Sequence, residues 1–221
     1  MNDPEEVAKL YRNRFRDRDR GTSDVVWRVL CRHFFQRYVA EGDTVLDLGA
    51  GGCEFLRHIV CGQRIAVDLN PEVAQLAPEG TWVLRISCDD LSPIPSESVD
   101  VVFASNVFEH LADTWDLLQT LRETHRVLRR GGRLLILQPN IRILKGRYWD
   151  FIDHRLPLTD RSLVEALRLV DFEVREARSR FLPFTKSSRW PKSAFFVRLY
   201  LLFPVAHRIL GEQAWVVGAK P

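Results

Sequence analysis

Two runs of this 221-residue chain set imidazoles beside carboxylates. One is Asn106-Val107-Phe108-Glu109-His110-Leu111. The other goes from Gln138-Pro139-Asn140 through Arg147-Tyr148-Trp149-Asp150-Phe151-Ile152-Asp153-His154-Arg155 to Thr159. A histidine can take a proton from an oxygen nucleophile near neutral pH, and a carboxylate beside it can orient it. His154, with Asp153 as orienter, is the foremost candidate for such a base, and His110 is its rival. Glu109 and His110 together could ligate a metal, yet no resident metal is expected. Tyr148 and Trp149 offer flat faces for a sugar or an aromatic ring, and Asn140 adds a polar contact. Each run also has a bland reading. Glu109-His110 can simply pack at a helix start, and residues 147–159 can anchor a helix capped by Thr159 or Asp160.

A third feature is Val45-Leu46-Asp47-Leu48-Gly49-Ala50-Gly51-Gly52, a strand running into a glycine turn. Glycines there let the backbone turn tightly and approach a ligand. Glu54 stands where a dinucleotide fingerprint needs its third Gly, and no Gly-Lys-Ser/Thr follows to make a phosphate loop. Asp47 at the strand end repels a pyrophosphate and suits a cationic ligand.

These residues require elements that bring them to one edge. Short apolar runs without alternation read as parallel strands buried on both faces. They are 44–48, 64–67, 82–86, 99–104 and 133–137, followed by 173–178 and 214–218. Helical segments fall at 23–39, 54–60, 72–76, 115–128 and 160–170. The order predicts an α/β fold: a doubly wound, mostly parallel, seven-stranded Rossmann-like sheet with helices on both faces and the last strand antiparallel. Residues 1–40 would be an N-terminal arm and helix. Residues 41–221 would be the main domain, with an apolar and basic insert at 181–213.

The motifs together resemble class I S-adenosylmethionine-dependent methyltransferases. Their first motif is similar to Val45–Gly51, after which Gly52-Cys53 stands where a small residue and Gly are usual. Asp68, in Ala66-Val67-Asp68-Leu69-Asn70, falls where the family's ribose-binding acid ends the second strand. A carboxylate can accept from both ribose hydroxyls. Ser87-Cys88-Asp89-Asp90-Leu91 resembles the adenine-binding segment, with Cys88 offering its N–H, Asp89 accepting from the amine and Asp90 as rival. Val99–Asn106 and Val127–Leu134 resemble the fourth-strand motif and the turn into the fifth. The resemblance spans about 45–172 and implies S-adenosylmethionine as cofactor. It implies binding by Asp47, Gly49, Ala50, Gly51, Asp68, Leu69, Cys88, Asp89 and Asn106. Methyl transfer from a sulfonium is an in-line displacement, so orientation does much of the work and an oxygen nucleophile gains from a base. The expected reaction is O-methylation of a sugar, glycolipid or other small metabolite. C- or N-methylation and a non-catalytic binding role are the alternatives.

Composition narrows the partners. Hydrophobic residues make up 46% and charged residues 28%, enough for a sizeable core. A net charge of +3 does not announce a nucleic-acid binder, and none is expected. The four cysteines, at 31, 53, 61 and 88, form no CxxC pair and read as free thiols of a reducing cytosol. A polar N-terminus without an apolar stretch predicts a cytoplasmic protein. From Arg178 to the end, eight Lys or Arg face a single acid, Glu212. Within that stretch Ala194–Leu210 is apolar nearly all round, with Arg189, Lys192, Arg198 and Arg208 beside it. A substrate lid or buried core helix, a homodimer contact and a membrane-surface contact through 189–210 all remain open for it.

Overall fold

The computed structural model describes residues 20–184 and 193–221. The arm at 1–19, and Arg189 and Lys192 of the insert, lie outside the described residues.

Seven strands form one sheet in the order β3-β2-β1-β4-β5-β7-β6. They are β1 (Thr44–Leu48), β2 (Gln63–Val67), β3 (Trp82–Leu84), β4 (Val99–Ser105), β5 (Leu128–Pro139), β6 (Glu173–Arg178) and β7 (Gln213–Ala219). β1 to β5 are parallel to one another, and β7 runs antiparallel to both β5 and β6. β6 therefore points the same way as β1–β5, and only the last strand is reversed. The strand order reverses at β1/β4, which opens the ligand crevice at the carboxyl ends there.

Helices cover both faces. They are α1 (Arg20–His33), α2 (Glu54–His58), α3 (Val73–Leu76), α4 (Thr114–Val127), α5 (Ile141–Leu144), α6 (Asp160–Leu169), α7 (Ala194–Leu202) and α8 (Pro204–Leu210). Alternation along the central strands feeds two cores. Leu46, Val102 and Leu134 join Leu121 of α4 and Leu163 of α6 on one face. Val45, Phe103, Leu135 and Trp215 join Leu30 of α1, Phe34, Phe35 and Phe55 on the other. Phe55 stacks on Phe103 at 3.9 Å between ring centres, so the helix that follows the glycine turn is held on the sheet.

The boundaries differ from expectation where backbone pairing overrides side-chain pattern. The first helix stops at His33 and a 3₁₀ turn takes over at Phe35–Tyr38, because Phe34 leaves helical geometry at φ −130. Helix α4 ends at Val127, not Leu128, since Leu128 already pairs with Val99 across the sheet. Strand β3 ends at Leu84, short of Ile86. The cap at Thr159 forms as expected, with reciprocal hydrogen bonds to Ser162.

Candidate active site

The crevice is built on backbone. Gly49 and Gly51 take φ of +71 and +52, which L side chains rarely adopt. The N–H groups of Gly49 and Ala50 both donate to the Val67 carbonyl, at 2.8 and 3.1 Å, tying the turn to β2. Cys53 fills its departure from the glycine pattern by adopting φ +55 itself. Its side chain is buried in the second core, and burial pushes the thiol up to about 12.

Asp68 is clamped by two backbone N–H donors, Gly51 and Asn70, each at 2.7 Å from one of its carboxylate oxygens. Each oxygen keeps a further lone pair for a ligand hydroxyl. Asp47 lies in the same crevice and is buried. Burial, then the negative charges of Asp68 and Glu54, push its pKa well above the carboxylate range. Burial raises Asp68 too, while the N–H donors and the charge of His110 pull the other way. Three carboxylates around a glycine turn make a site that a cation relieves. Asn106, at the end of β4 with φ +55, donates from its amide to Ser105 Oγ at 3.0 Å. Its Oδ1 is buried without a hydrogen-bond partner among the described residues.

The catalytic candidates converge, though not as their order suggests. Asp153 sits against His110 and not against its neighbour in sequence: its carboxylate is 3.3 Å and its carbonyl oxygen 3.1 Å from His110 Nδ1. Nδ1–H pointing at Asp153 leaves the Nε2 lone pair free to accept a proton, 4.0 Å from Glu109 Oε1. Glu109 is fully buried, accepts from Gln138 Nε2 at 3.0 Å and is raised by that burial. His154 is buried in an aromatic setting, stacked on Phe151 at 4.8 Å, with Tyr148 at 4.8 Å and His110 at 5.3 Å. Glu109, His110 and His154 each present one ligand atom within 4.8 Å of the others, a donor set that could hold a divalent ion.

Residues 46–136 match the sequence profile of the methyltransferase domain family. The chain therefore carries a methyltransferase domain over these residues. It is 40% identical over 91 residues to a Mycolicibacterium smegmatis protein described as a probable S-adenosylmethionine-dependent methyltransferase, covering 40% of this chain and 34% of that one. An uncharacterized protein of Methanocaldococcus jannaschii is 26% identical over 149 residues, 63% of this chain and 53% of that one. The chain thus spans between a third and about half of these relatives. In fold it is similar to the Haloferax volcanii protein solved in complex with the Trm112 methyltransferase activator, with a TM-score of 0.70, 24% identity and 97% of both chains covered.

Family and fold of the methyltransferase domain imply S-adenosylmethionine as the cofactor, and the crevice fits it. A buried carboxylate that no cation among the described residues offsets (Asp47), an amide oxygen unpartnered among them (Asn106) and an open glycine turn are what a ligand with an ammonium group, hydroxyls and a sulfonium would use. Leu69, apolar and exposed beside Asp68, and partly buried Asp89 flank the crevice. Cys88 accepts from Thr120 Oγ1 at 3.7 Å, and burial holds its thiol up to about 11. Asp90 is engaged locally, accepting from Ser92 N–H at 3.1 Å.

Two expected substrate contacts are corrected. Tyr148 is fully buried and its hydroxyl donates to the Leu156 carbonyl, so it presents no open face. Asn140 is fully buried as the cap of α5, accepting from Arg142 N–H and donating to Asp160 Oδ1 at 2.9 Å and the Ser179 carbonyl at 3.0 Å. Its hydrogen-bonding capacity is spent on the fold. Trp149 stays half-exposed, edge-on to Tyr148. Phe184, which sequence reasoning missed as a neighbour of this cluster, packs on Phe151 at 5.4 Å. Its distance along the chain hid that contact.

Proposed function

We propose that this methyltransferase domain transfers a methyl group to a hydroxyl oxygen of a small metabolite, a sugar or a glycolipid, with His110 as general base oriented by Asp153. The observation that carries this reading is the Asp153–His110 pair, placed near enough to Asp68 for the charge of His110 to act on that carboxylate. When bound, S-adenosylmethionine supplies an electrophilic methyl on sulfur. Asp68, Asp47, Asn106 and the glycine turn would hold it. His110 Nε2 takes the acceptor proton, and the Asp153 carboxylate stabilises the imidazolium that forms. Buried His154 and half-buried Phe151 and Phe184 wall the cluster and reduce its exposure to water. Exposed Trp149 is left as a platform for the acceptor. A screen of labelled methyl transfer onto sugars, lipid-linked sugars and phenols tests the reading. It expects turnover on at least one hydroxyl acceptor and its loss in His110→Ala. Turnover confined to amine or carbon acceptors, indifferent to His110, overturns it.

A second reading rests on the Glu109, His110 and His154 donor set. There a divalent ion would polarise the acceptor hydroxyl in place of a base. Loss of activity in a chelator, restored by added metal, selects it. The complex of the Haloferax volcanii protein with a methyltransferase activator also supports looking for turnover with and without a protein partner.

A further inference from the structure

We infer that α7 and α8 form a peripheral docking face for an anionic lipid surface. The two sides of α7 differ. Val197, Tyr200 and Leu201 pack into the second core, and the Tyr200 hydroxyl donates to the Phe181 carbonyl. That side holds the helix against the protein. The other side carries Phe195, Phe196, Leu199, Leu202 and Phe203 at helical spacing, and every one of them is exposed. After the break at Pro204 the outward surface continues through Val205 and Ile209, exposed at 64% and 68%. His207 turns the other way, buried, with Nε2 3.0 Å from the Tyr200 carbonyl. An apolar face this continuous is unusual on a solvated protein and marks a surface that meets something.

Charge decides between partners. No Asp or Glu occurs between Ala177 and Gly211, while Arg198 and Arg208 stand exposed on the same two helices. Arg32, at the end of α1 against which α7 lies, is exposed as well. Arg198 and Arg32 are close enough to His33 that both charges act on it. Among the described residues no ion pair engages Arg32, Arg198 or Arg208. An apolar face rimmed by unpaired cations matches the layered chemistry of a membrane surface, acyl chains under anionic head groups. A second copy of the same face would set cation against cation. No helix among the described residues is long and apolar enough to cross a membrane, so the contact is lateral. Both helices lie between β6 and β7, so they leave and rejoin the sheet at its carboxyl edge.

The test is co-sedimentation of the full chain with vesicles of phosphatidylcholine alone or mixed with phosphatidylglycerol. The expected result is sedimentation with the mixed vesicles and release by high salt, since exposed charges are screened. Arg198→Glu with Arg208→Glu, and separately Phe195→Ser with Leu202→Ser, should each lower partitioning by about tenfold or more, with the thermal transition kept. Salt release of the unaltered chain decides the matter should a variant fail to fold. No sedimentation with either vesicle overturns the inference. So does binding that ignores phosphatidylglycerol, or a dimer in solution that Phe195→Ser with Leu202→Ser dissolves.

Discussion

Gly49→Ala tests how the crevice is built. At φ +71 an L side chain is strained by about 1–2 kcal/mol. A Cβ at Gly49 would also lie 2.4 Å from Val107 Cγ2 and 3.1 Å from Cγ1, against ordinary carbon contacts of about 3.5–4.0 Å. Val107 cannot retreat freely, because it packs against the first core beside Phe108. Overpacking of this kind costs roughly 1–3 kcal/mol more, so Gly49→Ala should destabilise by about 2–5 kcal/mol in total. Val107→Ala removes both Cγ atoms and leaves the nearest remaining contact, Val107 Cβ, at 3.3 Å. In that background Gly49→Ala should cost the backbone strain and little more, since a shift of a few tenths of an ångström clears the Cβ contact. Urea unfolding of the four proteins closes a double-mutant cycle, with an expected coupling of roughly 1–3 kcal/mol in the compensating direction. Calorimetric titration with S-adenosylhomocysteine should show weaker binding in Gly49→Ala and partial recovery in the double variant. Additivity within about 0.5 kcal/mol would refute the claim that Val107 closes over the turn.

Three further outcomes follow from the site. His110→Ala should lower turnover by roughly 10²–10⁴ with cofactor affinity nearly unchanged, while Tyr148→Phe should cost about 1–3 kcal/mol of stability with little effect on kcat; steady-state kinetics and melts of both variants check the contrast. Asp68→Ala should weaken cofactor binding by about 1.5–3 kcal/mol in the same titration, the scale for hydrogen bonds to a charged group. Asp47, Asp68 and Glu109 all have folded pKa values raised chiefly by burial. The folded chain without cofactor therefore holds protons that the unfolded chain has released, and stability falls as pH rises from the usual carboxylate range through those raised values. Asp47→Asn should flatten that fall in a pH series of melts and raise the melting temperature near neutral pH, while weakening cofactor binding.

Much of the crevice could be read from the chain alone. The strand, glycine turn and helix at Thr44–His58, and Asp68 at the end of the next strand, are local features. Each depends on backbone freedom at two glycines and on apolar runs buried on both faces, which residue types announce directly. The break at Pro204 is equally local. What lay beyond reach was decided by contacts between distant segments. His154 stood beside Asp153 in sequence, yet the fold turned Asp153 onto His110, 43 residues away, and buried the His154 ring among Phe151, Tyr148 and Phe184. Tyr148 and Asn140 have residue types that suit a substrate, but the fold spends their polar atoms on the Leu156 carbonyl and on Asp160. A residue's type sets which bonds it can make. Only the packing of remote segments sets which of those bonds remain for a ligand.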